Sequence, residues 1–360
     1  MNAVGAYAKV HARVRAMYAD LIDAATWERL NECADVTSLI NALKDTIYGK
    51  HLASLEEKNM NSRRAVYEIR KRLTSDFHSI LNGAPAYAAP LLEQIFRLYE
   101  VDNLKGVLRG IEIGENWDRI RFMLFPMENF STMPFQAMVE AESVVGSVDV
   151  IRGSQYHSTL SHALDRYAAE KSLFPLEVAL DLDYWREIWR DLNQLPADER
   201  IKAKSIIGMV VDHNNLMWAA RYQYYHHLSE EEIINYTLPF GHRVTDSIVR
   251  SIAAGEEVID RVVEIYPVLE KFLTTMRDPV KDLPELEIRL QRLLAAQCRQ
   301  AFVGFPFHIG ILIAYIFLVE LEIQDLTVLL EAKSLGIPRV NYQPFLIMNE
   351  QPVEDIQTKW

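Results

Sequence analysis

Apolar residues recur every three or four positions along most of the chain, which is the spacing of one face of an α-helix. Val101, Leu104, Leu108 and Ile111 show this spacing most plainly. Strands joined by turns would need proline or glycine about every 8–12 residues. The stretch from Gly208 to Leu238 contains no proline and no second glycine. The pattern therefore predicts an all-α protein.

The same pattern places the individual helices. It predicts helices over residues 3–30, 35–51, 90–112 and 197–228, and a new helix at the capping box of Ser229 and Glu232. Residues 114–134 are predicted to connect two helical regions, because Pro126 and Pro134 prevent a continuous helix. Prolines at 267, 279 and 284 are expected to divide the chain into shorter helices.

Residues 301–319 are the most apolar stretch and raise the question whether the chain crosses a membrane. We predict a helix that starts near Phe307, with Pro306 in its first turn, and that stays apolar only as far as Val319. Those residues cover about 20 Å at about 1.5 Å per residue, whereas the hydrocarbon core of a bilayer is about 30 Å thick. The stretch is therefore predicted to be a buried helix without a transmembrane span.

A short motif recurs three times at nearly equal spacing. Each copy has an acid, an asparagine or aspartate three residues later, and a leucine four residues later. The motif residues are Glu100, Asn103, Leu104 and Arg109 in the first copy; Asp212, Asn215, Leu216 and Arg221 in the second; and Glu322, Asp325 and Leu326 in the third, where Glu331 replaces the arginine. The copies lie 112 and 110 residues apart, which predicts three helical repeats over residues 1–117, 118–228 and 229–360.

A second element supports this period. The stretch Leu43–Tyr48 resembles Ile151–Tyr156, and a third copy is expected near Ile252 to Gly255. An asparagine near a packed helix face needs hydrogen-bond partners. We therefore interpret the polar motif residues as contacts that fix how each helix meets its neighbours, in preference to a ligand site.

Charge and composition narrow the function. The 360 residues include 38 basic and 50 acidic side chains, a net charge of −12, which argues against non-specific binding to nucleic acid or to anionic lipid. Cys33 and Cys298 lack metal or disulfide spacing, and the N-terminus lacks the apolar segment of a signal peptide. We therefore expect a cytoplasmic protein with reduced thiols. The common nucleotide, hydrolase and zinc-protease motifs are absent from the sequence, so we expect no catalytic residue, no metal and no cofactor.

Two groups of side chains leave alternatives open. His213, His226 and His227 lie near Asp212, but their spacing favours ordinary surface or interface histidines over zinc ligands. A basic cluster is interpreted as a solvated helix face, with a contact to an acidic partner as the alternative. Its members are Lys58, Arg63, Arg64, Arg70, Lys71 and Arg72.

Several segments resemble the stalk-socket subunit of V/A-type rotary ATPases, which is the d subunit of the eukaryotic proton pump and the C subunit of archaeal and bacterial complexes. The resemblance is strongest in the C-terminal segments Phe307–Gly310, Ala314–Tyr315, Glu320–Leu326 and Lys333–Pro338. It extends to Asp212–Tyr222, to Leu228-Ser-Glu-Glu, and to Tyr7, Arg13 and Arg15. Val319 and Gln324 depart from the family pattern, which usually has lysine and arginine there.

The resemblance implies an all-helical protein of three similar domains in a pseudo-threefold arrangement around a central cavity, without a transmembrane helix or catalysis. It implies that the chain couples the parts of a rotary complex on the cytoplasmic face of the membrane, held there only through other subunits. Its partners would be the central-stalk subunits and the proteolipid ring, so that ATP hydrolysis or synthesis is coupled to proton or sodium transport. Candidate contacts to these partners are Arg13, Arg15, Arg70 and Arg221. The alternatives are an unrelated helical-repeat scaffold or adaptor and a metal-dependent helical enzyme.

Overall fold

Helices account for most of the chain in a computed structural model, which describes residues 3–53, 55, 61–226, 228–238, 241–273, 276, 278 and 280–348. These residues contain α-helices, short 3-10 helices and turns, and no strand lies among them. The all-α prediction is thus confirmed. Within the same ranges, no helix is both long and apolar enough to cross a bilayer.

The helices vary widely in length. The first twelve are α1 Ala3–Ala19, α2 Ala24–Glu32, α3 Val36–Lys44, α4 Gly49–Leu52, α5 Ser62–Leu81, α6 Ala89–Phe96, α7 Leu98–Glu112, α8 Trp117–Ile120, α9 Phe135–Glu140, α10 Val144–Val150, α11 Gln155–Glu170 and α12 Phe174–Gln194. The remaining helices are α13 Ala197–Tyr224, α14 Glu230–Tyr236, α15 Asp246–Ala253, α16 Val258–Ile265, α17 Glu270–Leu273, α18 Leu283–Gln300, α19 Ile309–Ser334 and α20 Arg339–Tyr342.

The described residues form two compact units. One unit comprises those of Met1–Asp35, Gly83–Pro85 and Leu195–Trp360, and the other those of Val36–Asn82 and Ala86–Gln194. In the first unit, α19 packs against α1, α13 and α18. In the second, α12 packs against α6, α7 and α11. The division into three repeats stays a prediction.

Three predicted helices are each divided in two. The stretch 3–30 breaks before α2, where the Asp23 carboxylate accepts the Thr26 N–H at 2.7 Å and caps a new helix. The stretch 35–51 breaks between α3 and α4, and the stretch 90–112 breaks at Arg97 between α6 and α7. Local capping therefore ends helices that apolar periodicity alone would continue.

Two other predicted features agree with the structure. The helix α13 runs to Tyr224, close to the expected end at 228. The capping box at the start of α14 is complete, since the Ser229 hydroxyl accepts the Glu232 N–H and the Glu232 carboxylate accepts the Ser229 N–H. The short helix α8 was not predicted and lies within the expected connecting region.

The apolar stretch near residue 301 becomes the N-terminal half of α19, in which every residue from Ile309 to Val319 is buried. The prediction of a buried helix is therefore confirmed. The position of Pro306 was wrong, because this residue precedes the helix and His308 takes the N-cap position. The first free N–H of the helix, at Ile309, is instead accepted by the Glu199 carboxylate of α13 at 2.7 Å.

We expect the stability of the first unit to depend on the packing of α19. Replacing the fully buried Leu318 by alanine removes buried methyl groups and leaves a cavity, which costs about 2–5 kcal/mol. The matched control is Leu335→Ala, just beyond the same helix, where 71% of the side chain is exposed. Chemical denaturation measures both free energies of unfolding, and equal losses for the two variants would contradict the buried position.

Candidate functional site: backbone contacts of the repeated motif

The three motif copies lie on three long helices, α7, α13 and α19. In every copy the acid, the residue three positions later and the leucine four positions later are buried. A buried polar group costs free energy unless it is hydrogen-bonded. The partners of these side chains therefore show what the motif does.

In the first two copies, the asparagine binds one backbone residue through both ends of its amide. Asn103 donates to the Phe125 carbonyl at 2.9 Å and accepts the Phe125 N–H at 2.6 Å. Asn215 donates to the Leu238 carbonyl at 2.7 Å and accepts the Leu238 N–H at 2.7 Å. The partner lies 22 residues downstream in the first copy and 23 in the second. Each asparagine thus fastens a returning loop to its own helix.

The third copy makes a related contact with different chemistry. The Asp325 carboxylate accepts the Ile347 N–H at 2.7 Å and the Met348 N–H at 2.6 Å. A carboxylate cannot donate, so the carbonyls of this segment need another partner. The Arg292 guanidinium of α18 supplies it by donating to the Leu346 and Pro344 carbonyls at 2.7 and 2.8 Å. Burial raises the pKa of the Asp325 carboxyl to about 7.

The acid at the first position of each copy also accepts hydrogen bonds. Glu100 accepts the Tyr156 hydroxyl at 2.5 Å, and Asp212 accepts the Tyr266 hydroxyl at 2.7 Å. Burial, followed by the nearby carboxylate, raises the pKa of both tyrosines. The third acid, Glu322, accepts the Ile22 N–H at 2.7 Å.

These tyrosines connect the two repeated elements. Tyr156 ends the second element, and Tyr266 follows it by 110 residues, which is the period of the motif. The third copy of the second element was expected near Ile252 to Gly255, whereas the corresponding tyrosine lies further along the chain.

Asp212 forms the largest of these networks. Besides the Tyr266 hydroxyl, its carboxylate accepts three backbone N–H groups, from His242 at 2.6 Å, Arg243 at 2.8 Å and Val244 at 3.0 Å. The whole loop that begins at Leu238 is therefore held by two residues of α13. Nothing in this arrangement leaves the Asp212 carboxylate exposed for a ligand, since the side chain is fully buried.

The arginine at the end of the first two copies forms an ion pair with the next long helix in the sequence. Arg109 of α7 pairs with Glu177 of α12 through two hydrogen bonds of 2.6 and 2.9 Å. Arg221 of α13 pairs with Glu287 of α18 at 2.7 Å. The two acids are also 110 residues apart. Because Arg109 is 62% exposed, its pair contributes little to stability and acts on orientation.

Three of the four arginines predicted to contact other subunits have partners inside the protein. Arg15 donates to the Phe302 carbonyl at 2.6 Å and Arg70 to the Met123 carbonyl at 3.0 Å, while Arg221 pairs with Glu287. Arg13 is exposed on α1. The assignment of these arginines to contacts with other subunits stays a prediction.

The basic cluster and the histidines are only in part exposed side chains. Arg72 is fully buried, with its guanidinium 4.9 Å from the centre of the Tyr48 ring and 3.3 Å from the Asp76 carboxylate. The interpretation as a solvated face was therefore wrong for Arg72. Burial lowers the pKa of His213 to about 4, so its ring is neutral at pH 7. Lys58 and His227 lie outside the described residues.

Sequence reasoning missed the loops that the motif binds. A weak signal was present, because a proline directly follows the bound residue in two copies, at Pro126 and Pro239. In the third copy, Pro344 lies just before the bound residues. A proline fixes its own backbone and restricts the preceding residue to extended conformations, which suits a residue that pairs with a side-chain amide.

The chain matches the family model described as ATP synthase (C/AC39) subunit over residues 10–342. Similar proteins include the C subunit of the A-type ATP synthase of Methanocaldococcus jannaschii, which is 24% identical over 95% of this chain and 86% of that protein. The corresponding protein of Pyrococcus abyssi is 22% identical over 92% of this chain and 87% of its own length. That of Methanococcoides burtonii is 21% identical over 92% and 91% respectively.

We expect Asn215→Ala to destabilise the protein by about 2–4 kcal/mol, because it leaves the Leu238 N–H and carbonyl buried without a partner. Asn193→Ala is the matched control, since Asn193 is exposed and donates only to the Trp189 carbonyl within its own helix. We expect the control to lose less than about 1 kcal/mol. Urea denaturation measures both, and a loss no larger for Asn215→Ala than for Asn193→Ala would contradict the role of the amide.

We expect the third contact to lose stability as the pH rises. The Asp325 carboxyl has a pKa of about 7 in the native state and of about 4 in the unfolded chain. Between these values the native state binds more protons, so stability is fully present below about pH 4 and is lost as the pH rises through 7. The limiting slope is about 1.4 kcal/mol per pH unit.

The measurement is the free energy of unfolding of the wild type minus that of Asp325→Asn, followed from pH 4 to 7. Taking this difference removes the titration of other groups. We expect it to fall as the pH rises, and a difference that grows with pH would show that the hydrogen bonds outweigh burial.

Proposed function

We propose, because the chain belongs to the ATP synthase (C/AC39) subunit family, that it is a non-catalytic coupling subunit of a V/A-type ATPase or ATP synthase. In this role it links the central rotor stalk to the membrane proteolipid ring. ATP hydrolysis or synthesis is thereby coupled to proton or sodium transport. The observation that carries the proposal is the family match over residues 10–342.

The contacts of the motif support a mechanical role. The buried acids and amides of all three copies accept or donate hydrogen bonds within the protein. Interactions of this kind cost free energy when one partner is left unpaired, so they resist local opening. A subunit that transmits torque needs such resistance, because a loop that yields under load would lose rotation between the two ends of the rotor.

The proposal also covers partners and location. As a member of a rotary complex, the chain has other subunits as partners, and we assign the stalk and the ring to that role. We place it on the cytoplasmic face, attached through those subunits. Family membership disfavours the alternative of an unrelated helical scaffold.

We expect membranes from cells that lack this chain to lose ATP-driven ion transport, because nothing connects the rotating stalk to the ring. Transport is measured with an ion-sensitive dye in inverted vesicles, and ATP hydrolysis is measured on the same material. Hydrolysis by the detached catalytic sector should persist. Adding back the purified wild-type chain should restore transport.

Affinity purification of the tagged chain provides an independent check. The nucleotide-binding subunits and the proteolipid should be recovered with it, and an alkaline carbonate wash should release the chain from membranes. Full transport in membranes without the chain, or recovery of the chain alone, would contradict the proposed function.

A further inference from the structure

The loop between α18 and α19 exposes two large apolar side chains next to each other in sequence. Val303 is 68% exposed and Phe305 is 60% exposed, whereas Phe302 is only 5% exposed. We call the segment Phe302–Phe307 the tip. Isolated exposed apolar residues are common on proteins, so the tip requires further evidence before it is assigned a role.

The backbone of the tip is anchored on both sides of the exposed residues. The Arg15 guanidinium donates to the Phe302 carbonyl at 2.6 Å, and the Tyr18 ring stacks on the Phe302 ring at 4.1 Å. On the other side, the His11 and Phe307 rings lie 4.9 Å apart. Gly304, with φ of +90°, makes the turn between these anchors. The exposed side chains are therefore held in fixed positions, which reduces the entropy that a partner must remove on binding.

The surroundings of the tip are basic in a protein of net charge −12. The helix α1, which supplies the anchors, contains Lys9, Arg13 and Arg15 and no acidic residue. Lys202 is exposed at the start of α13, where its Cβ would lie 3.3 Å from a side chain at Gly310, close to the tip. The nearby Glu199 carboxylate is buried and already accepts the Ile309 N–H. Two of the candidate contacts, Arg13 and Arg15, thus belong to this region.

The charge distribution favours a protein partner over a bilayer. An anionic lipid surface would repel the chain as a whole, and two apolar side chains give only weak insertion. A protein surface needs only local complementarity, in which an aromatic anchor fills a pocket and charged groups surround it. Carboxylates around an apolar depression would match the tip and its basic surroundings.

We infer that the tip is a docking site for another protein subunit of the rotary complex, which receives Phe305 and Val303 in an apolar depression bordered by carboxylates. This inference rests on the proposed function and names the surface that would perform one of its contacts. Phe305 acts as the anchor, and Arg13 and Lys202 lie close enough to attract the acidic border.

The test measures how the purified full-length chain rebinds to membranes that carry the rest of the complex but lack this chain. We expect Phe305→Ser to raise the half-saturating concentration about 30-fold, as for a central aromatic contact. Arg13→Glu should raise it several-fold, with a smaller effect at high salt. Thermal unfolding should be unchanged for both variants, because both side chains are exposed.

Two control variants match the changes in chemistry. Val340→Ser removes an apolar side chain that is 74% exposed elsewhere in the same unit, and Lys50→Glu reverses an exposed positive charge outside this unit. Both should bind within about twofold of the wild type. Equal binding of Phe305→Ser and the wild type would overturn the docking site while leaving the proposed function intact.

Other outcomes are also decisive. If the wild type binds these membranes no better than membranes without any of the complex, both the proposed function and the docking site fail. Binding to vesicles of anionic phospholipid that depends on Phe305 would overturn the protein partner in favour of lipid. Dimerisation in sedimentation experiments that depends on Phe305 would overturn it in favour of a second copy of this chain.

Discussion

The mutual dependence of a buried side chain and a buried stretch of backbone shapes this protein more than any other interaction. A helix cannot bury Asn103 or Asn215 without a partner for the amide, and a returning loop cannot bury its peptide groups without a partner for N–H and carbonyl. Each satisfies the other. The cost of leaving a group unpaired exceeds the net gain of a single hydrogen bond, so the contact specifies one position of the loop more strongly than it adds to stability.

The third copy shows that the contact is preserved even when its chemistry changes. An asparagine can serve one donor and one acceptor, and it binds both groups of a single residue. An aspartate offers only acceptors, so Asp325 binds two successive N–H groups, of Ile347 and Met348. The carbonyls of the segment then depend on Arg292, which comes from the neighbouring helix α18. A side chain outside the motif thus compensates for the change from amide to carboxylate.

The sequence predicted those features that depend on local periodicity, such as the capping box at Ser229 and the burial of Ile309 to Val319. It also revealed that Asn215 occupies a recurring position and needs a hydrogen-bond partner. It did not reveal the partner, because Leu238 binds through its backbone, which every residue possesses. Helix boundaries show the same limit, since the Ile309 N–H is accepted by Glu199, which is 110 residues earlier in the chain. Tertiary contacts of this kind leave no local signal in the pattern of apolar residues.

A separation of roles follows from the way the polar groups are used. The buried acids and amides of the motif face the protein's own backbone and hold loops in place. The tip has the opposite character, since its apolar side chains point outward while its backbone is held by Arg15, whose guanidinium binds the Phe302 carbonyl. A chain that couples two parts of a rotor needs both properties, because torque passes through a body that does not yield and leaves it through surfaces that bind. In this chain the anchored backbone of the tip joins the two, since a contact made by Phe305 would be transmitted through Phe302 to α1 and through Phe307 to the start of α19.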